Sequence, residues 1–328
     1  MKLFLRRNAP LFYVLAAMLA LYIPWLNRGY NNYEYPFVLA ARALTSSTDA
    51  SLMDAYWPSI ANPLGYSILV SLLFRIIELR DAFWISRIPA LLGAILILLA
   101  GWLMTKNLWR ERRRNFYIWA VLVVLQPMIA VFSTSGTTDI LPVGLLMFSI
   151  ALTFAISEQK VGHILLIAMI FGFAVIIKYN TAYFGLALIS TVLIGRPKST
   201  KKNFRRIRDI SIFTLVPGII LLAYVYWCFD RFEVFISSRY EVSEPHFFDL
   251  IGLSKNFAKY ISFFGMFCGA LPLTLLYSRQ RRFGSGLRGI ALAVALAPVG
   301  WLSSGQKLGE MDYGRFFEGN FFIFFPAY

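Results

Sequence analysis

Charge is what this 328-residue sequence has least of. Asp, Glu, Lys and Arg make up 15% of it, against 58% hydrophobic residues, 17% aromatic residues and a mean hydropathy of +0.63. Soluble domains carry about 25% charged residues, so a water-soluble globular domain is excluded and a polytopic membrane protein remains. Cysteine is nearly absent too. Cys228 and Cys268 both fall in apolar segments without CxxC or metal-ligand spacing, which makes them small packing residues. The sequence has no GxGxxG, P-loop, HExxH or zinc-ligand set, and it has no internal repeat, heptad run or low-complexity segment. The N-terminal segment has the charge and apolar core of a signal peptide but no small-residue cleavage site, so a retained first span is expected.

What is present is a series of apolar runs, each near the roughly 17–25 residues that a bilayer requires. Spans are expected at 9–26, 83–104, 116–133, 140–157, 162–178, 180–195, 210–228, 258–277 and 289–303. The basic residues between them decide orientation. With the N-terminus in the cytoplasm, loops 1–8, 105–115, 158–163, 195–209 and 278–288 hold 20 Lys and Arg but only three acids, Glu111, Glu158 and Asp209. The opposite loops, 28–61, 133–140, 229–257 and 303–320, hold seven basic residues and twelve of the seventeen acids. That asymmetry follows the positive-inside rule. It also explains the net charge of +15 without nucleic acid, which is not an expected partner. His163 and His246 fall on opposite faces in this topology, so they share no metal site. The apolar helix 63–79 is expected to lie in the outer interface, because counting it as a span would reverse every later loop. The whole chain is expected to form a single membrane domain. Its first outer loop (28–80) carries juxtamembrane helices, its large outer loop covers 229–257, and its outer tail (303–328) ends in eight residues too few to cross ~30 Å of hydrocarbon.

The first outer loop is the longest polar interruption, and it is where chemistry is expected. Pro36 to Leu44 suits a short amphipathic helix, with Phe37, Ala40, Ala41 and Leu44 on one face. Glu34 just precedes it, either as a general base or metal ligand above a lipid-borne substrate or as a complement to the helix N-terminus. Asp139, in Phe-Ser-Thr-Ser-Gly-Thr-Thr-Asp-Ile-Leu-Pro, is either a helix N-cap or a second carboxylate on the same face. Lys178 is the only basic residue recognised inside the apolar run of a span. It either attracts a lipid phosphate or snorkels to the interface. Arg239, in the acidic and aromatic 229–257 loop, and Arg315, in the outer tail, are further candidates for phosphate or sugar.

Taken in order, these pieces resemble the GT-C class of membrane glycosyltransferases, in the branch of the protein O-mannosyltransferases and the lipid A aminoarabinose transferases (glycosyltransferase family 39-like). An acid precedes an amphipathic helix carrying Ala41-Arg42, and Asn-Pro-Leu-Gly-Tyr-Ser-Ile-Leu then opens a juxtamembrane helix. Ser-Arg-Ile-Pro-Ala-Leu-Leu-Gly is similar to the family's Arg-Leu-Pro-Ser-Ala-Leu span. Asp139 resembles the second acid. Gly-Phe-Ala-Val-Ile-Ile-Lys-Tyr-Asn is similar to the family's run ending in Thr-Lys-Tyr and places Lys178 and Tyr179. Phe-Gly-Met-Phe-Cys-Gly-Ala-Leu-Pro-Leu is similar to the span after the large outer loop. One departure stands out. Relative to Arg42, the family's catalytic Asp falls near position 32 or 33, where this chain has Asn32 and Tyr33, and Glu34 matches the acid after it.

The resemblance implies an all-α bundle of about nine transmembrane helices. It implies transfer of a sugar from a polyprenyl-phosphate donor to an acceptor protein, lipid or glycan on the periplasmic or luminal face, by a multi-pass protein of the plasma (inner) membrane. Glu34 and Asp139 would be the catalytic acids, and Asn32, Arg42, Lys178, Tyr179, Arg239 and Arg315 would bind substrate. A divalent cation is a candidate cofactor, though no outer cluster has metal-ligand spacing. Two alternatives stay open: a non-catalytic GT-C-like subunit of a membrane assembly, and a transporter of a lipid-linked substrate.

Overall fold

Apolar runs with short polar breaks fold as helices because a bilayer leaves the backbone no other way to satisfy its polar groups. The computed structural model describes residues 2–29, 34–45, 63–77, 83–108, 112–155, 160–179, 181–182 and 200–232, and every element within them is helical. The helices are α1 (Lys2–Tyr22), α2 (Tyr35–Thr45), α3 (Gly65–Ile77), α4 (Phe83–Leu108), α5 (Arg112–Leu125), α6 (Pro127–Ser133), α7 (Ile140–Ala155), α8 (Val161–Ile177) and α9 (Thr200–Phe232). A 3-10 turn, Ile23–Trp25, extends α1. The spans expected at 180–195, 258–277 and 289–303, the tail 303–328 and nearly all of the 229–257 loop lie outside the described residues. The chain divides into two compact units, residues 1–181 with 211–240, and residues 182–210 with 241–328. All that follows concerns the first.

Three stretches of the described helices are long and apolar enough to cross a membrane, Asn8–Trp25, Phe83–Asn107 and Ile207–Arg231; α3, α7 and α8 are shorter apolar helices. The expected span 116–133 is broken. Pro127 brings no N–H and biases the residue before it away from helix, and Gln126 is extended at φ −71°, ψ 120°, so α5 ends there and α6 begins.

In a bilayer, close packing rather than water exclusion holds helices together, and small residues at the contact allow it. The α4–α7 contact is of this kind. A Cβ on Gly93 would come within 2.7 Å of the Ile140 carbonyl oxygen and the Leu141 Cα, and one on Gly144 would overlap the Gly93 carbonyl. Gly65 is pressed in the same way against the α8 backbone at Ile176. On the other side of α4, Trp102 stacks edge-on against Phe116 of α5 at 4.9 Å and donates to Asn8 of α1 at 3.2 Å.

The amphipathic pair α2 and α3 packs as its sequence pattern requires. Phe37, Val38, Ala40, Ala41 and Ala43 of α2 are buried against Tyr66, Val70 and Phe74 of α3, while Leu72 and Ile76 face outward. Arg75 donates to the Leu44 carbonyl at 2.7 Å, which ends α2, and Ser67 donates to the Phe37 carbonyl at 3.0 Å. Tyr224 of α9 accepts from the Leu64 amide at 2.7 Å and joins the same core with Cys228.

The α4–α7 contact yields a prediction. Gly144→Val lowers the thermal stability of the detergent-purified protein by about 1–3 kcal/mol or more through overpacking. Gly162→Ala, at a site with nothing within 4 Å, leaves the unfolding midpoint at or above wild type. An unchanged midpoint for Gly144→Val refutes the close approach.

Candidate functional site

Most of the buried polar side chains among the described residues gather where α1 and α8 end and where α2, α3, α4 and α7 begin. Glu34 stands one residue before α2, and its carbonyl accepts from the Val38 amide at 3.2 Å. Its carboxylate does something else. It is fully buried and meets the equally buried Arg87 guanidinium at 2.6 Å. Arg87 lies in the second turn of α4, which corrects the expectation that Lys178 is the only cation within an apolar span. Arg87 also donates from Nη1 to the Leu26 and Arg28 carbonyls, both at 2.7 Å, and from Nη2 to the Gly29 carbonyl at 2.9 Å. One side chain thus ties the end of α1, the turn after it and the start of α2 to α4.

Arg28 completes this group. Its Nη2 lies 4.0 Å from Glu34 Oε1 and donates to Ser135 Oγ at 2.7 Å and to the Thr134 carbonyl at 3.5 Å. The first polar loop is thereby fastened to the second, Thr134–Asp139, in which Thr134, Ser135, Thr137 and Thr138 are all buried. Gly136 sits close against α4, with room for a Cβ only at 3.3 Å from Ser86 Oγ.

Asp139 ends that loop immediately before α7. Lys178 is the first residue past α8, with an extended backbone and with its N–H donating a hydrogen bond to the Ala174 carbonyl at 3.1 Å. The two side chains meet at 2.8 Å, with Lys178 3% exposed and Asp139 14% exposed. Tyr66 connects the pairs: its buried hydroxyl donates to the Ser86 carbonyl at 2.7 Å, within electrostatic reach of Glu34, Arg87 and Asp139. Burial first, and the Glu34 charge second, push this phenol well above its usual range, so it remains a neutral donor.

Of the other expected residues, Arg42 is half-buried in the last turn of α2 and Tyr179 packs on the α2–α3 core. Asn32, Arg239 and Arg315 lie outside the described residues, as do His246 and Cys268. Arg28 and Arg87 were not singled out from the sequence. Arg87 carried a signal, an arginine followed two residues later by proline at the start of an apolar run.

Comparison with known proteins bears on the family and the fold. The sequence model of the dolichyl-phosphate-mannose-protein mannosyltransferase family matches residues 61–227, about half of the chain. No curated protein matches the sequence. Two crystal structures of ArnT from Cupriavidus metallidurans share the fold. The apo form superposes with a TM-score of 0.66 and the form bound to undecaprenyl phosphate with 0.64, each at 17% identity over 98% of this chain. The chain spans 58% of the length of those structures.

The buried pair yields a prediction. Removing one partner of a buried ion pair leaves the other uncompensated, at a cost of about 3–5 kcal/mol. Arg87→Met therefore destabilises the purified protein strongly, and Arg87→Met with Glu34→Leu recovers part of the loss. Additive losses in the double variant would show that the two charges do not interact.

Proposed function

Because this chain belongs to the dolichyl-phosphate-mannose-protein mannosyltransferase family, we propose that it is a GT-C glycosyltransferase that moves a sugar from a polyprenyl-phosphate donor to an acceptor hydroxyl. The observation that carries this reading is the Asp139–Lys178 pair, partly open at the polar end of the bundle beside the Arg28, Glu34 and Arg87 group. The undecaprenyl phosphate bound to ArnT in one of the similar structures supports the class of donor. The sidedness of the basic loops supports a cytoplasmic N-terminus and a site on the periplasmic or luminal face of the plasma (inner) membrane.

The chemistry follows from which acid is accessible. Asp139 accepts the proton of the acceptor hydroxyl, and that oxygen attacks the anomeric carbon. The bond from the anomeric carbon to the phosphate oxygen breaks, and polyprenyl phosphate leaves with the electron pair. Lys178, at 2.8 Å, orients the Asp139 carboxylate. Glu34 is fully buried against Arg87, and its part is to fix the loop rather than to move a proton. Tyr179, next to Lys178, and Arg42 are proposed as substrate contacts. Asn32, Arg239 and Arg315 are proposed as further contacts to the sugar and phosphate, and the acceptor is a protein, lipid or glycan hydroxyl.

A second reading rests on one observation: Asn32 and Tyr33 occupy the place of the family's Asp, as in a relative that keeps the fold without catalysis. A single experiment separates the two. Purified protein is given undecaprenyl-phosphate-linked sugars and candidate acceptors, and release of undecaprenyl phosphate is followed. Asp139→Asn lowers turnover by about 10²–10⁴-fold, the usual worth of a positioned base, and still retains the lipid in native mass spectrometry. Turnover unaffected by Asp139→Asn removes Asp139 as the base, and retention of lipid with no turnover in wild type favours the non-catalytic subunit.

A further inference from the structure

Two cations, Arg28 and Arg87, and one anion, Glu34, meet where α1 ends. Arg87 is buried and engaged with Glu34 and three carbonyls. Arg28 is 4.0 Å from the same carboxylate, with its side chain 36% exposed. Both of its hydrogen bonds leave from Nη2, and Nε and Nη1 make none among the described residues. Arg28 is therefore the cation of this group that solvent reaches. Lys178, the cation that the sequence favours for phosphate, is in the opposite condition: 3% exposed and matched by Asp139 at 2.8 Å.

The surface beside Arg28 is suited to an anion. Ser135 fixes the guanidinium, and two residues along the same loop Thr137 is 5% exposed, with an Oγ1 that has no hydrogen-bond partner among the described residues. A buried hydroxyl in that condition costs stability unless a ligand satisfies it. The turn before Arg28 exposes Leu21, Ile23 and Trp25. These put the guanidinium at the boundary between a lipid-facing helix and a polar loop, where the phosphate of a lipid lies with its chain alongside.

We propose that Arg28 is the phosphate-binding residue for the lipid-borne sugar donor, with the Thr137 hydroxyl as a second donor to it. This rests on the glycosyl-transfer reading above. A phosphodiester donor brings one negative charge to this exposed cation, and the departing phosphate monoester gains more. A guanidinium fixed in place is therefore worth more to the leaving group than to the ground state.

The test is titration of the full chain in detergent with undecaprenyl phosphate, read by native mass spectrometry and tryptophan fluorescence. Arg28→Gln weakens binding at least tenfold and flattens its salt dependence. Arg28→Lys, which keeps the charge without the planar guanidinium, falls between Arg28→Gln and wild type. Ser135→Ala, which keeps the charge and removes only its tether, loses less than Arg28→Gln, and Arg75→Gln, on the far end of α3, binds as wild type. Wild-type affinity in Arg28→Gln with loss in Lys178→Gln overturns the assignment while the donor class survives. Failure of wild type to bind undecaprenyl phosphate overturns both readings. Inorganic phosphate competing at equal concentration shows a free-anion site and overturns the lipid-borne one.

Discussion

The polar end of this bundle depends on one charged group placed where charge is expensive. Arg87 stands in the second turn of an apolar helix with no exposure, and an isolated ion taken out of water costs several kcal/mol even after relaxation. The fold answers by surrounding it with a carboxylate and three main-chain carbonyls. Those acceptors belong to Leu26, Arg28, Gly29 and Glu34, residues that lie outside the helices. Solvating the cation and placing these residues are thus one event. The α2–α3 core, Arg28 and the Thr134–Asp139 loop are placed by what that event fixes.

Two ion pairs at one end of a bundle invite the same role for both, and their exposure separates them. The Glu34–Arg87 pair is sealed on both sides, so a proton arriving there would break an interaction the fold needs. The Asp139–Lys178 pair is built at the ends of two helices, and its acid keeps 14% of its side-chain surface. It is held in place and still partly open, and on the reading proposed above the acceptor hydroxyl meets it there. Preorganisation of this kind is what a base on a short loop requires, because a misplaced carboxylate loses most of its effect.

The parts of this structure governed by local pattern were legible in the sequence. Apolar runs located α1, α4, α7 and α8, and 3–4 residue spacing located the buried face of α2. Asn62-Pro63 and the apolar run behind it located α3. Glu34, Asp139 and Lys178 stood out because a charge beside an apolar run is rare. What was not legible was pairing. Asp139 and Lys178 are 39 residues apart and Glu34 and Arg87 are 53 apart, and neither distance is written in composition or periodicity. Without its partner, Arg87 passed as the polar start of a span and Arg28 as the edge of a loop. The break at Gln126-Pro127 was missed for another reason, since the apolar run continues through it and only the proline marks the interruption.

Asn32 and Tyr33 now bear on the chemistry in a specific way. A family member that loses the acid before its amphipathic helix could keep its activity if the next acid took over, and Glu34 is the residue in line to do so. Its carboxylate is directed into Arg87, and releasing it would free a buried guanidinium and loosen the turn that presents Arg28. On the reading proposed above, proton acceptance therefore passes to the second loop, and the acceptor hydroxyl must approach from the side of Thr134–Asp139. Arg28 spans the two loops by its bond to Ser135, so on that reading the donor phosphate lies between the first loop and that approach. Such a site brings donor and acceptor together without an acid at position 32 or 33, and its geometry turns on the arginine that joins the loops.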